Sequence, residues 1–180
     1  MTEKAVTETG MANSDHTLDS DAEQFLTFIM AEEEYGVDIL CVQEIRGWEE
    51  TTPIPKAPSH IKGVINLRGT VVPIIDLRRC FGMESIEYTP VTVVIVLRVE
   101  SESGSRTVGI VVDAVSDVYT LSETELRPAP DLGDSVSTEF IRGLVNVNDR
   151  MVILLEIDRL LNMDDIPDLS SISSDIEQAK

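Results

Sequence analysis

Short runs of apolar residues, alternating with polar ones or continuous, occupy most of the chain between residues 24 and 163. Valine and isoleucine dominate these runs, and β-branched side chains favour extended backbone because they pack well on a pleated surface. The pattern predicts strands over residues 24–30, 35–48, 91–99 and 106–115, with an acidic turn at residues 32–34. The predicted fold is therefore all-β.

Two further predicted hairpins resemble each other. "IKGVINLRGTVVPIIDL" (residues 61–77) and "IRGLVNVNDRMVILLEI" (residues 141–157) are identical at 4 of 17 positions and share an Ile-basic-Gly start and an Asn before the turn. The turns are Arg68-Gly69 and Asn148-Asp149. Gly, Asn and Asp tolerate the positive φ that two-residue hairpin turns require. The chain therefore contains an internal repeat of a hairpin unit.

One hairpin cannot bury both of its faces, so further strands must surround each copy. We expect each copy to belong to a small closed barrel, because closure removes exposed strand edges. Short helical segments are predicted after the hairpins, at "LRRCFGM" and "IDRLLNM", and a capped helical turn at "LSETELRPAP" with Ser122 and Glu125. The sequence thus predicts two packed β-barrels with a few short helices.

The two ends of the chain differ from this middle part. Residues 1–23 and 164–180 are polar and acidic and lack periodicity, so they are predicted to be a disordered leader and an acidic tail. No apolar run approaches the roughly 18 residues that span a bilayer, and no secretory signal precedes the strands. The cytoplasm is the expected location. Cys41 and Cys80 are expected to be thiols, with a single disulfide as the alternative.

The net charge of −19 changes the list of candidate partners. An acidic surface repels phosphate backbones and anionic lipid, which disfavours binding to nucleic acid and to membranes. Aromatic residues make up only 4% of the chain, so few rings are available for base stacking. The acidity itself requires no explanation beyond solubility.

The sequence contains no convincing catalytic constellation. Cys41 with His60 is the one nucleophile–base pair that can be formed, which leaves a small cysteine-dependent enzyme as the alternative function, but thiols in apolar strands usually behave as small hydrophobic groups. Asp113 and Asp117 are expected to face solvent. Zinc-ligand spacing and a phosphate-binding loop are both lacking, so no metal, cofactor or small-molecule substrate is expected.

What remains is a candidate interaction surface at the first hairpin turn. Arg68 and Gly69 form the turn, and Glu44 in "VQEIRG" is a plausible partner for the Arg68 guanidinium. Arg68 is either a solvated turn residue or an ordered arginine that presents its planar fork to another protein. The preceding "DILCVQEI" is apolar on both faces if it continues as a strand, and the groove between the barrels could hold an amphipathic helix of a partner.

The string "EEEYGVDILCVQEIRGWEETTPIPKAPSHIKGVINLRGTVVPIIDLRRCFG" resembles the CheW family of bacterial chemotaxis coupling proteins, and the resemblance continues through "STEFIRGLVNVNDRMVILLEIDRLL". It covers residues 24–163. The resemblance implies two five-stranded SH3-like barrels and no catalysis. It also implies a role as an adaptor between the cytoplasmic tips of methyl-accepting chemotaxis receptors and the histidine kinase CheA, whose regulatory domain has the same fold.

The resemblance also assigns candidate partner-binding residues. Val42 and Glu44 match the receptor-facing surface of the family, and Arg68 and Gly69 match its "NLRG" string. Ile39 and Ile45 are further candidates on the same segment. Because no receiver pattern follows the barrels, the plain adaptor is favoured over the related coupler that carries a receiver domain.

Overall fold

The computed structural model describes residues 21–133 and 138–162, and within them the chain forms ten strands in two five-stranded sheets. The strands are β1 (Glu23–Met30), β2 (Glu33–Asp38), β3 (Val42–Gly47), β4 (Ile61–Leu67), β5 (Thr70–Asp76), β6 (Val93–Ser101), β7 (Gly104–Val112), β8 (Ala114–Leu121), β9 (Ile141–Val147) and β10 (Arg150–Leu155). The helices are α1 (Leu77–Cys80) and α2 (Ile157–Leu161). None of the helices in the described ranges is both long and apolar enough to cross a membrane.

The two sheets are interleaved along the chain. Sheet A has the order β8-β1-β2-β10-β9, and sheet B has the order β3-β6-β7-β5-β4. The chain therefore begins in sheet A, builds all of sheet B, and returns to complete sheet A. This confirms the all-β fold and the placement of the two similar hairpins in different five-stranded sheets.

Contacts between the outer strands of each sheet are consistent with the predicted barrels. Beyond β3, Thr52 forms an antiparallel bridge with Val64 of β4, which lies at the other end of sheet B. Beyond β8, Arg127 forms the same kind of bridge with Leu144 of β9 in sheet A. Val64 and Leu144 are equivalent residues in the two copies of the repeated hairpin, so both sheets are joined at the same place.

Strand register confirms the internal repeat in detail. In the first hairpin the pairing shifts between Ile61 and Gly63, and in the second it shifts between the equivalent residues Ile141 and Gly143. Each copy thus has a β-bulge at its basic residue, Lys62 or Arg142. Arg68 and Asn148, which begin the two turns, have φ of 51° and 52°. The sequence similarity therefore corresponds to a repeated backbone geometry.

The predicted strand over residues 35–48 is wrong, because a 3-10 turn at Ile39–Cys41 divides it. The carboxylate of Asp38 accepts a hydrogen bond from the backbone N–H of Leu40 at 2.9 Å, which favours a turn over continued extended structure. The segments on either side belong to different sheets, β2 to sheet A and β3 to sheet B. The segment "DILCVQEI" therefore does not form the one continuous strand with two alternating faces that the sequence pattern predicts.

The prediction over residues 106–115 is also wrong, because β7 ends at Val112 and β8 begins at Ala114 in the other sheet. The sequence did not indicate β8, because nearly all of its residues are exposed or half-buried and half of them are polar. The acidic turn lies at Ala31 and Glu32, and Glu34 is buried in β2 instead. The capped turn at Ser122 and Glu125 is confirmed.

The other two strand predictions, 24–30 and 91–99, correspond to β1 and β6. The predicted leader over residues 1–23 and tail over residues 164–180 lie largely or wholly outside the described residues. At the edge of the leader, Glu23 already belongs to β1.

The core consists of one large cluster shared by both sheets and one smaller cluster within each sheet. The shared cluster combines Phe28, Tyr35 and Val37 of sheet A with Ile95, Leu97 and Ile110 of sheet B. Ile65, Val72 and Val96 belong to the cluster of sheet B, and Phe25, Val145 and Val152 to that of sheet A. Since successive side chains of a strand point to opposite faces, each sheet contributes one face to its own cluster and the other to the shared one.

Each short helix anchors a hairpin of the opposite sheet. In α1, Arg78 donates to both carboxylate oxygens of Asp113, from Nε at 2.8 Å and from Nη2 at 2.5 Å. Asp113 also accepts from the backbone N–H of Ala31 in the β1–β2 turn at 2.9 Å. In α2, Asp158 accepts from the backbone N–H of Glu100 at 2.8 Å. The expectation that Asp113 faces solvent is therefore wrong.

The Arg78–Asp113 pair predicts a pH-dependent contribution to stability. Burial alone would raise the pKa of Asp113, but the hydrogen bonds from Arg78 and Ala31 outweigh it and hold the pKa below its usual value of 3.8. A carboxyl with a lowered folded-state pKa stabilises the fold above its unfolded pKa, and this contribution is lost as the pH falls through the folded pKa. We expect Asp113→Asn to lower the free energy of unfolding by about 2 kcal/mol at pH 7 and by progressively less below pH 4.

Urea unfolding at pH 7, 4 and 3 measures this difference. Asp117→Asn is the matched control, because Asp117 is exposed and makes no ion pair among the described residues. A constant deficit of Asp113→Asn across the pH range would contradict the electrostatic origin of the effect.

Candidate protein-docking site

A β-bulge shapes the candidate site on β3. Val42 pairs with Leu97 and Glu44 pairs with Val96, so Gln43 is the extra residue between them. Bulges redirect the side chains around them. Val42 packs against the cluster shared by the two sheets, whereas Glu44 pairs with a residue of the cluster within sheet B. The bulge thus allows Val42 and Glu44, although they are only two residues apart on one strand, to lie on different faces of the sheet.

The predicted pair of Glu44 and Arg68 is present in the structure. Nη1 of Arg68 donates to Oε2 of Glu44 at 2.8 Å. The side chain of Arg68 is 77% exposed and that of Glu44 is 23% exposed, so the arginine projects to solvent while its partner is partly covered. The turn itself is ordered by Asn66, whose side-chain oxygen accepts from the backbone N–H of Gly69 at 2.8 Å. Arg68 is therefore an ordered turn residue rather than a freely solvated one.

A second arginine, which the sequence analysis missed, completes this pair. Nη1 of Arg46 donates to Oε1 of Glu44 at 3.2 Å, and Arg46 also forms an ion pair with Glu49 at 3.2 Å. The signal was available, because residues two apart on a strand share one face. With one arginine on each oxygen, the Glu44 carboxylate is fixed on both sides.

The electrostatics of Glu44 follow from these contacts. The hydrogen bond from Arg68 lowers its pKa from the ordinary value, partial desolvation opposes this change, and the hydrogen bond from Arg46 adds to the lowering. Glu44 is therefore ionised at neutral pH. Among the described residues, Arg68 contacts Glu44 through Nη1 alone, so Nε and Nη2 of this largely exposed side chain remain available to a carboxylate or carbonyl of another protein.

Apolar residues accompany these charges. Ile45 is 48% exposed on β3, and Leu40 in the 3-10 turn before the strand is 88% exposed. Ile39 and Val42 are half-buried and pack against the shared cluster. Leu40 was not predicted as a site residue, because its exposure depends on the 3-10 turn. The segment from Ile39 to Ile45 thus offers apolar surface in the same stretch as the Glu44–Arg68 pair, which is the composition of a protein-docking surface.

A cleft lies where the two sheets meet, next to this segment. Its volume is about 190 Å³, and it is lined by residues of both sheets: Asp38, Leu40, Cys41, Arg98, Glu100, Arg142, Leu155, Glu156, Ile157 and Asp158. The lining mixes charged and apolar side chains. Such a cleft suits an amphipathic segment with polar groups of its own better than a purely apolar one.

The alternative enzymatic site receives no geometric support. The thiol of Cys41 donates to the carbonyl oxygen of Asp38 at 2.8 Å, and burial, together with the negative charges of Asp38 and Asp158, raises its pKa to about 12. A thiol with that pKa is a poor nucleophile. Nε2 of His60 is buried and has no hydrogen-bond partner in the described ranges. Within the same residues, no cluster of three or more His, Cys, Asp or Glu side chains could hold a metal ion.

Comparison with known proteins agrees with this architecture. The model of the CheW-like domain matches residues 24–165. The chain is 49% identical over 144 residues to the chemotaxis protein CheW of Klebsiella aerogenes, covering 80% of this chain and 84% of that protein. It is 40% identical over 148 residues to the chemotaxis protein CheW of Rhizobium meliloti, covering 82% and 93%.

A solved structure extends the comparison to three dimensions. The crystal structure of the scaffolding protein TtCheW from Thermoanaerobacter tengcongensis superimposes with a TM-score of 0.72 at 31% identity, covering 82% of this chain and 97% of that one. Sequence, domain model and fold therefore agree over the same part of the chain. The chain belongs to the CheW family.

Proposed function

We propose that this chain is a non-catalytic chemotaxis coupling adaptor that links the cytoplasmic tips of methyl-accepting receptors to the histidine kinase CheA. Membership of the CheW family and the likeness to a structure described as a scaffolding protein support an adaptor role in chemotaxis. The adaptor acts in the cytoplasm and allows receptors to control kinase activity within signalling arrays. It acts on no small-molecule substrate.

The observation that carries this proposal is the ordered arginine at the tip of the first hairpin. Arg68 is largely exposed, and its position is set by Glu44, which Arg46 holds from the other side. A preorganised guanidinium loses little freedom when it binds, which favours specific recognition of a partner. We assign this surface, the β3 surface, to the receptor; it consists of Ile39, Val42, Glu44, Ile45, Arg68 and Gly69.

The roles within this surface differ by residue. Arg68 supplies the directional hydrogen bonds, and Glu44 supports it. Ile45 supplies exposed apolar area, and the half-buried Ile39 and Val42 support the strand from beneath. Gly69 has φ of 86°, which allows the tight turn that places Arg68 at its tip.

The experiment is reconstitution from purified components. The chain, a receptor cytoplasmic fragment and CheA are combined pairwise and together, and complex formation and kinase autophosphorylation are measured. We expect the chain to bind each partner alone and the receptor to stimulate the kinase only when the chain is present. Receptor control of the kinase without the chain, or failure of the chain to bind either partner, would contradict the proposal.

A further inference from the structure

The internal repeat extends beyond the similar hairpins to all five strands of each sheet. In sheet A, Gly36 of β2 lies opposite Leu154 of β10, and in sheet B, Gly109 of β7 lies opposite Ile74 of β5. Ile74 and Leu154 are equivalent residues of the repeated hairpin. At both glycines an added Cβ would collide with that equivalent side chain, at 2.7 Å from Leu154 and 2.5 Å from Ile74. The β1–β2 hairpin therefore corresponds to the β6–β7 hairpin.

This correspondence identifies β8 as the counterpart of β3. Val42 pairs with Leu97 of β6, and Val115 pairs with the equivalent residue of β1, Phe28. Ile45 pairs with Ile95 and Val118 pairs with Leu26, which are again equivalent. Both strands have a bulge between these pairs. "VQEI" in β3 and "VSDV" in β8 are thus structurally aligned, with Glu44 matched to Asp117.

We call β3 together with the tip of the first hairpin the β3 copy, and β8 together with the tip of the second hairpin the β8 copy. These two copies present similar apolar surface. Val118 is 44% exposed and its counterpart Ile45 is 48% exposed. Val115 and its counterpart Val42 are both half-buried against the cluster shared by the sheets. The tip of the second hairpin also lies near its strand, because the Asn148 side chain is close enough to the Tyr119 hydroxyl to influence the pKa of that group. The β8 copy therefore keeps the shape elements of the β3 copy.

The charges of the two copies differ. In the β3 copy, Glu44 is neutralised by Arg68 and Arg46, whereas in the β8 copy Asn148 stands in place of Arg68 and Tyr119 in place of Arg46. Asp117 is exposed, and Oδ1 accepts a hydrogen bond from the adjacent backbone N–H of Val118 at 2.7 Å. It forms no ion pair within the part of the chain that the structure describes. The carboxylate of the second copy thus lacks the cation that the first copy supplies itself.

We propose that Val115, Asp117, Val118 and Asn148 form a second protein-docking surface, the β8 surface, and that its occupant is a segment of a partner protein carrying an arginine or lysine beside an apolar side chain. The cation would pair with Asp117, and the apolar side chain would cover Val118. Charge complementarity carries the choice of occupant, because the β8 surface offers, next to exposed apolar area, a carboxylate without an ion pair in residues 21–133 and 138–162. This inference does not depend on assigning the β3 surface to the receptor.

The test is a titration of the ¹⁵N-labelled full chain followed by amide NMR shifts. The probe is an amphipathic helical peptide of about 16 residues with leucines on one face and arginines beside them, a length that permits helix formation. The comparison probe has glutamate at each arginine position. We expect the arginine peptide to shift amides of residues 115–119 in a saturable way, and the glutamate peptide to leave them unchanged.

Variants make the test specific to the carboxylate. Asp117→Arg is expected to weaken binding of the arginine peptide about tenfold, and Asp117→Asn by a smaller factor. Glu102→Arg, a charge reversal at the exposed β6–β7 turn, is the matched control and should leave the affinity unchanged. The amide spectrum of each variant also reports its fold.

Three results would overturn the proposal. These are equal shifts with the two peptides, shifts that map away from residues 115–119, and unchanged affinity in Asp117→Arg. Neither receptor nor kinase enters this titration, so its failure is distinct from failure of the reconstitution that tests the adaptor role.

Discussion

Arg68→Glu is expected to abolish receptor control of the kinase while leaving the fold intact. The substitution replaces the exposed guanidinium at the hairpin tip with a carboxylate that faces Glu44, so the pair joined at 2.8 Å becomes repulsive. An arginine anchor at the centre of an interface contributes about 2 kcal/mol, and its loss corresponds to a roughly 30-fold lower affinity. Receptor binding by the adaptor and receptor-stimulated autophosphorylation of CheA measure the effect.

The fold should survive because Arg68 is 77% exposed and lies outside the core clusters. Its effect on the free energy of unfolding should stay within about 0.5 kcal/mol. Arg159→Glu, the same charge change at an exposed position of α2, is the matched control and should retain coupling. If Arg68→Glu retains both receptor binding and kinase control, the assignment of the receptor to the β3 surface is wrong.

Gly63→Ala is expected to lower the free energy of unfolding more than the addition of a methyl group at Gly47 or at Gly69. Gly63 has φ of 136°, in a region that L residues rarely adopt. A Cβ at this position would overlap the carbonyl oxygen of Thr52, and it would lie 2.7 Å from the carbonyl carbon of Thr52 and 2.9 Å from Oγ1 of Thr51. The obstruction is mainly backbone, so a rotamer change cannot relieve it.

Relief of this clash would break the contacts that join the segment after β3 to β4. Thr52 and Val64 exchange two backbone hydrogen bonds of 2.9 Å, and Thr51 donates to the carbonyl of Lys62 at 2.8 Å. Backbone strain and these lost bonds together should lower the free energy of unfolding by about 4 kcal/mol. That corresponds to a fall in Tm of about 10 °C for a domain of this size.

Substitutions at two other glycines separate the effect of backbone strain from the effect of the steric clash. At Gly47 an added Cβ would have no neighbour within 4 Å in the part of the chain that the structure describes, so Gly47→Ala should change stability by less than about 1 kcal/mol. Gly69 has φ of 86° but equally free space, so Gly69→Ala tests strain without a clash. If thermal unfolding shows Gly63→Ala to be as stable as Gly47→Ala, the close approach of β4 to Thr52 is not important for stability.

The local sequence pattern correctly predicted the strands that are covered on both faces. The apolar runs of β1, β4, β5, β6 and β10 became largely buried strands, because a strand covered on both faces needs apolar residues throughout. The repeated hairpin was visible because its turn and its bulge require particular residues at fixed spacing. The Glu44–Arg68 contact was also anticipated, and the structure confirms the contact itself.

Predictions failed where the chain changes sheets. The crossing from β2 to β3 occurs at Ile39–Cys41, within an apolar run, and the crossing from β7 to β8 occurs at Asp113, before a strand of mixed polarity. Asp38 and Asp113 mark the two crossings. Their carboxylates accept hydrogen bonds from the backbone N–H groups of Leu40 and Ala31. Such side-chain-to-backbone bonds end a strand without changing the periodicity of its apolar residues.

By itself, the sequence determined that the chain is all-β, that one hairpin occurs twice, and that an arginine stands at the first tip and an asparagine at the second, because period, turn chemistry and charge are local properties. Only the tertiary structure decided that each sheet combines distant segments, that Arg46 and Arg68 meet on Glu44, and that β8 repeats β3 with an Asp117 that forms no ion pair among the described residues. The physical reason is that strand pairing and bulges depend on partners many residues away, which no local pattern specifies.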